Sequence, residues 1–148
     1  MTRHARTSDS LAELVPRVLV VAALAVDAVV HLRLASMYQA AAPGGIGAGT
    51  LFRIEAAVAI LAALYVAVRG SRAAYAVAFV VALGALGAVL LYRYVNVPAF
   101  GPIPSMYEPV WFFQKSLSAV AEGIGVVAAA AGLVHARRRM PRPSGHRT

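Results

Sequence analysis

The chain alternates four long apolar stretches with three short polar or glycine- and proline-rich connections. The first stretch starts at Pro16, which suits the first turn of a helix, and predicts a helix over 16–38. Its apolar run is broken by Asp27 and His31, which are four apart and share one helix face, and Arg33 lies near its end. The second predicts a helix over 51–68 with Arg53 and Glu55 near its start. The third, expected over 72–95, contains nineteen uncharged residues from Ala73 to Leu91, close to the ~20 that cross a bilayer core. Arg93 follows, between Tyr92 and Tyr94, as at a membrane interface. The fourth is expected over 106–135 and carries Glu108, Lys115 and Glu122.

The connections carry their own signals. Residues 40–50, AAAPGGIGAGT, form an uncharged glycine-rich hairpin, with neither the flanking strand nor the lysine of a phosphate loop. In Arg69-Gly70-Ser71-Arg72, Gly70 suits a helix C-terminus and Ser71 an N-cap. Residues 96–105 hold Pro98, Pro102 and Pro104 and cannot be helical throughout. Ser10 to Glu13 and Ser105 to Glu108 fit capping boxes, although Pro109 blurs the second helix start. Ala23-Leu24-Ala25 matches a leader-cleavage pattern, but the apolar run continues to Val30, so it is read as a retained span.

Composition turns this pattern into a class. The 148 residues are 60% hydrophobic with mean hydropathy +0.71, far beyond what a water-facing surface allows. There is no cysteine, which excludes disulfides and thiolate metal sites. The net charge of +8 would raise nucleic-acid binding in a soluble chain. Here the arginines gather in the tails and the 69–72 link, so the bilayer, not nucleic acid, is the expected partner. The expected fold is an all-α, four-helix transmembrane bundle of up-down topology in the plasma membrane, both termini cytoplasmic. Residues 1–14 form the N-tail, 15–135 the membrane domain and 136–148 a basic C-tail.

That topology gathers the charges at the extracytoplasmic end. Arg33, Arg53, Arg93 and Lys115 stand there with Asp27, Glu55, Glu108 and Glu122, plus His31. Glu108, Lys115 and Glu122 are spaced seven apart, which on a helix makes one stripe with Trp111, Ser118 and Gly125 on or beside it. At ~1.5 Å rise per residue, His31, Glu55 and Lys115 lie roughly 6 to 14 Å below the helix ends, with Asp27 and Glu122 deeper. Two readings are open. Balanced charges can be ion pairs that set helix register, with end arginines snorkelling. Alternatively they line a wet pocket for a small polar ligand, a quinone head or a proton. A metal on His31, Asp27, Glu55 and Glu122 has no motif spacing behind it, and the positive neighbours oppose it. A haem held by two histidines is disfavoured because His4, His135 and His146 lie at the other end or in the tails. Small-residue stripes (Ser118, Ala121, Gly125, Ala129 and Gly132; Gly84 and Ala88; Ala59, Ala63 and Ala67) allow close packing within a bundle or a homo-oligomer. No nucleophile elbow, dinucleotide fingerprint or metalloprotease motif is present.

The chain resembles uncharacterised four-span membrane proteins of high-GC actinobacteria. The likeness lies in His31, in Gly45-Ile46-Gly47 with Leu51-Phe52-Arg53-Ile54-Glu55, and in Gly101 through Trp111 with Lys115 and Glu122, and it covers about residues 15–135. A looser resemblance in span number, size and polar helix ends is to the DoxX-like group, which implies a redox-accessory role with a quinone or metal. The expected function is therefore an accessory or ligand-binding membrane protein rather than an enzyme, with Asp27, His31, Arg53, Glu55, Glu108, Lys115 and Glu122 at its ligand or proton site. The alternatives are a redox-linked component and a proton-coupled carrier acting as an oligomer. A partner membrane subunit is a further expected contact.

Overall fold

The computed structural model describes residues 2–41 and 46–138, with side chains over 11–40 and 46–137. Among the described residues there are four helices: α1, Thr2–Ala41; α2, Ala48–Arg69; α3, Arg72–Tyr94; and α4, Phe113–Arg138. Among the described residues there is no strand, only a bridge between Phe100 and Ile103. Segments of all four helices are long and apolar enough to cross a membrane: Leu11–Ala40, Ala48–Arg69, Arg72–Tyr94 and Phe113–Arg137.

Side-chain size is distributed inside out. Among the described residues, fifteen of the twenty buried apolar ones are alanine, including Ala56, Ala59, Ala74, Ala78 and Ala129 at 0% exposure. Large side chains such as Leu61, Val68, Val80 and Val127 point outward at 66–73% exposure. Water would penalise that surface; lipid does not, and alanine inside lets backbones approach and gain dispersion contacts. These four helices therefore describe a multi-pass membrane protein.

Neighbouring helices run antiparallel. His31, late in α1, meets Phe52, early in α2, edge-on at 5.1 Å. At the other end the Arg17 guanidinium donates to the carbonyls of Val66 (3.1 Å) and Ala67 (2.6 Å), satisfying the end of α2. Helix α1 packs on α2 and α4, and α4 packs on α3, while α2 and α3 pack more lightly than any of these pairs. The 69–72 link behaves as its residues dictate. Gly70 adopts the left-handed conformation at φ 53° and donates its N–H to the Val66 carbonyl, and the Ser71 hydroxyl accepts from the Ala74 N–H.

Three expected boundaries change. Helix α1 begins at Thr2 and passes through Pro16, so the N-tail is helical and Ser10 starts no separate turn. Proline removes one ladder bond there, and helix formers on both sides carry the helix across the gap. Helix α2 starts at Ala48, inside the glycine-rich connection, whose residues 42–45 lie outside the described residues. Helix α4 starts at Phe113, not at 106. Proline at 109 forces Glu108 toward extended backbone, and the Glu108 N–H pairs with the Tyr92 carbonyl at 3.0 Å. Residues 95–112 thus form a strap across the end of the bundle, tied to the α1–α2 connection by the Ile46 N–H on the Pro102 carbonyl at 3.3 Å. The arginines at 139, 142 and 147 lie outside the described residues.

The α4 stripe of Ser118, Ala121, Gly125, Ala129 and Gly132 is buried along its length. A Cβ on Gly132 would lie 2.5 Å from Tyr75 Cδ1 and 2.7 Å from Cζ, and the Tyr75 ring is itself buried. In α3, by contrast, Gly84 and Ala88 are exposed, and a Cβ on Gly84 meets nothing within 4 Å. Ala67 in α2 is likewise exposed. Gly132→Ala is therefore expected to cost about 1–3 kcal/mol through overpacking. Gly84→Ala should be neutral or stabilising by up to ~1 kcal/mol through helix propensity. Thermal unfolding of both variants in one detergent measures the difference.

Candidate functional site

Asp27 and His31 occupy one face of α1, and Ser118 and Glu122 one face of α4; each pair is four residues apart, so each helix presents its two side chains together. Asp27 and Glu122 are each 1% exposed. His31 Nδ1 lies 2.9 Å from Asp27 Oδ1 and 3.1 Å from the Asp27 carbonyl oxygen. The Ser118 hydroxyl lies 2.8 Å from Asp27 Oδ1 and 2.9 Å from Glu122 Oε1. A hydroxyl has one hydrogen, so it donates to one carboxylate at a time. The second contact requires a further proton or a cation at the cluster. Asp27 Oδ2 and Glu122 Oε2 are buried with no hydrogen-bond partner.

Above this floor lies a cavity of about 410 Å³. His31, Leu34 and Tyr38 of α1, Phe52 and Glu55 of α2, Gly84 and Ala88 of α3, and Lys115 and Ser118 of α4 line it, and Met106 and Glu108 of the strap close its end. Phe52 stacks on Tyr38 at 4.6 Å as well as on His31, which draws the start of α2 toward α1. The α2 and α3 ends are thereby left apart, and the exposed lining residues Ile54, Gly84 and Ala88 stand at that gap. The cavity thus has a polar floor and a side facing the lipid. Glu55 Oε1 is buried on its wall with no partner.

The cations are arranged otherwise than a balanced cluster requires. Arg33 and Arg53 are exposed and stand outside the cavity lining, since lipid-facing arginines near helix ends gain by reaching water. Arg93 stacks over Tyr94 at 5.0 Å and over Trp111 at 5.7 Å. Lys115 also approaches Trp111, at 5.7 Å, and donates to the Glu108 carbonyl. Glu108 is in the strap, so the helical stripe of Glu108, Lys115 and Glu122 does not form; only Lys115 and Glu122 are on α4. Glu108 Oε1 accepts from the Val110 N–H at 3.2 Å. Of the expected site residues, Asp27, His31 and Glu122 come together, Glu55, Lys115 and Glu108 surround the cavity above, and Arg53 is apart. Sequence reading placed Ser118 on or beside the charged stripe and among packing residues, but not at the site; its position four before Glu122 was the available signal for its role between the carboxylates.

Removing the Ser118 hydroxyl takes away the donor that both buried carboxyl groups contact, which costs about 1–3 kcal/mol. Ser118→Ala is expected to lose that much stability, and Arg53→Gln to stay within ~0.5 kcal/mol of the parent. Chemical unfolding of both variants in mixed micelles checks the contrast.

No family model, curated protein or solved structure matches this chain.

Proposed function

We propose that this protein is a non-enzymatic or accessory component of the plasma membrane that holds a small amphiphilic molecule in the cavity above Asp27. The observation that carries this reading is the 410 Å³ cavity itself, with His31, Glu55 and Lys115 set among apolar walls and a gap between α2 and α3. Ligand sites of this kind are mostly apolar with a few placed polar groups. A polar head fits the His31, Glu55 and Lys115 end, and an apolar tail fits the gap toward lipid. A quinone head satisfies the same chemistry, which keeps the redox-linked reading as a specific case. The core of Val20, Leu24, Ala59, Ala63, Val66, Tyr75 and Ala78 fills the bundle beneath the cluster, which favours a binding site over a through-going carrier.

Charge supports an orientation. Arg17, Arg69, Arg72 and Arg137 belong to the end opposite the cavity, and under the positive-inside rule this favours cytoplasmic termini and an outer strap. The chain has no cysteine, so single cysteines are clean reporters. A membrane-impermeant maleimide added to intact cells should label Phe100→Cys, whose site is 81% exposed, and spare Ser71→Cys. The reverse pattern would invert the assignment.

For binding, the full chain purified in mild detergent is expected to carry about one amphiphile per chain by native mass spectrometry. A short-tailed quinone analogue and a lysophospholipid serve as added probes. Gly84→Leu places bulk where there is open space at the gap, and Lys115→Met removes the ammonium group; each should reduce retention about tenfold. A folded, empty protein that takes up neither probe would refute the reading.

A further inference from the structure

Beneath the cavity, the floor cluster has a chemistry that ligand retention alone does not explain. Asp27 and His31 on α1 and Glu122 on α4 each offer one ligand atom, and the three atoms lie within 4.8 Å of one another. We propose that these three side chains form a binding site for a single divalent first-row transition-metal ion of the manganese, iron, cobalt or zinc class. This site is independent of whether the cavity above holds an amphiphile.

Four observations lead there. The first is the pair of orphaned oxygens. Asp27 Oδ2 and Glu122 Oε2 are unpartnered in side chains only 1% exposed. Buried carboxylate oxygens without a partner are costly, and a cation satisfies both at once. The second is charge. No lysine or arginine donates a hydrogen bond to either carboxylate among the described residues, because Lys115 is engaged by the Glu108 carbonyl and Arg17 by the end of α2. Two carboxylates and one neutral imidazole would be balanced by a charge of +2. The positive neighbours that opposed a metal on sequence grounds are therefore not placed to do so.

The third observation is donor type and geometry. One imidazole with two carboxylates suits first-row metals; magnesium and calcium prefer oxygen alone, and copper(I) prefers sulfur, which none of these three side chains offers. The 2.9 Å between His31 Nδ1 and Asp27 Oδ1 sets the imidazole nitrogen and the Asp27 carboxyl group side by side, close enough to share one ion. A metal on Nδ1 leaves the ring proton on Nε2. The fourth is support. Ser118 reaches both carboxylates and fixes their orientation, as outer hydrogen-bond partners do in metal sites, and both pairs are held by rigid helices. His31 and Ser118 also line the cavity, so coordination positions left by the three ligands face that space. Three protein ligands with open positions are the arrangement of an exchangeable or ligand-accepting ion rather than of a closed structural one.

The test uses the full chain, stripped with a chelator and titrated with Mn²⁺ followed by electron paramagnetic resonance, and with Co²⁺ followed by visible absorption. The expected result is saturation at one ion per chain, with imidazole nitrogen coupling on the bound Mn²⁺. Asp27→Asn, His31→Gln and Glu122→Gln should each weaken binding by more than ~10-fold, the lower end of what losing an outer partner costs. His31→Gln should also abolish the nitrogen coupling, a readout that protein stability does not move, and Arg53→Gln should bind as the parent does. Failure of the parent protein to bind either ion saturably would overturn the proposal. So would undiminished binding in all three variants, which would place the ion elsewhere. An infrared band of a protonated carboxyl that persists with added metal and disappears in Glu122→Gln would also overturn it, assigning the extra charge to a shared proton. Amphiphile retention, measured separately by mass, is not expected to require the ion, so the two readings fail independently.

Discussion

Asp27 and Glu122 are carboxylates on facing helices of a bundle whose outer surface is Leu, Val and Phe. A carboxylate turned toward hydrocarbon costs several kcal/mol at least, so each must turn inward, and on α1 and α4 inward means toward the other. Ser118 between them fixes the register: a rotation of either helix by one residue, about 100°, would separate the hydroxyl from its acceptors. His31 follows, because it is one turn from Asp27 on the same face. The cluster thus sets the relative rotation of α1 and α4, and with it the floor of the cavity.

Small residues supply the rest of the geometry. Within lipid there is no hydrophobic drive to bring helices together, so close contact has to come from side chains that permit it. Alanine fills the centre, Gly125 lets α4 approach Ala82 of α3 and Ala23 of α1, and Gly132 leaves room for Tyr75. The two-residue Gly70-Ser71 link holds α2 and α3 together at one end only. At the other end Phe52 is drawn to His31 and Tyr38 of α1, and α3 presents Gly84 and Ala88, which fill little space. The cavity is the consequence of aromatic contact on one side and missing side-chain volume on the other.

The cations are kept busy elsewhere. Arg17 satisfies carbonyls at the end of α2, Arg93 lies over aromatic rings, and Lys115 holds the strap through the Glu108 carbonyl. Helix-end carbonyls and aromatic faces are good partners for groups that cannot shed their charge. The result is segregation: a negative floor, an apolar cavity with one lysine near its rim, and arginines either outside the cavity lining at its own end or at the opposite end. A site built this way favours a cation below and a polar head above, and it is the basis of both functional proposals.

Four helices and their class were legible in the sequence because the apolar runs are long and a bilayer fixes the length that spans it. The Gly70-Ser71 corner was legible too, since a left-handed residue and an N-cap are local requirements. So were the α4 packing stripe, from its small-residue spacing, and the i,i+4 pairing of Asp27 with His31. The tertiary structure decided everything that depends on which faces meet. A sequence of balanced charges does not say that Arg33 and Arg53 turn outward, because snorkelling and ion pairing draw on the same residues. Spacing of seven placed Glu108 on a stripe that Pro109 and the Tyr92 carbonyl dissolve into a strap. Ser118 could be read as a small packing residue until two carboxylates from different helices were found on its one hydroxyl. The cavity also had no local signature, because it arises where α2 leans toward α1 and α3 offers glycine and alanine, a relation among three helices that no single segment encodes.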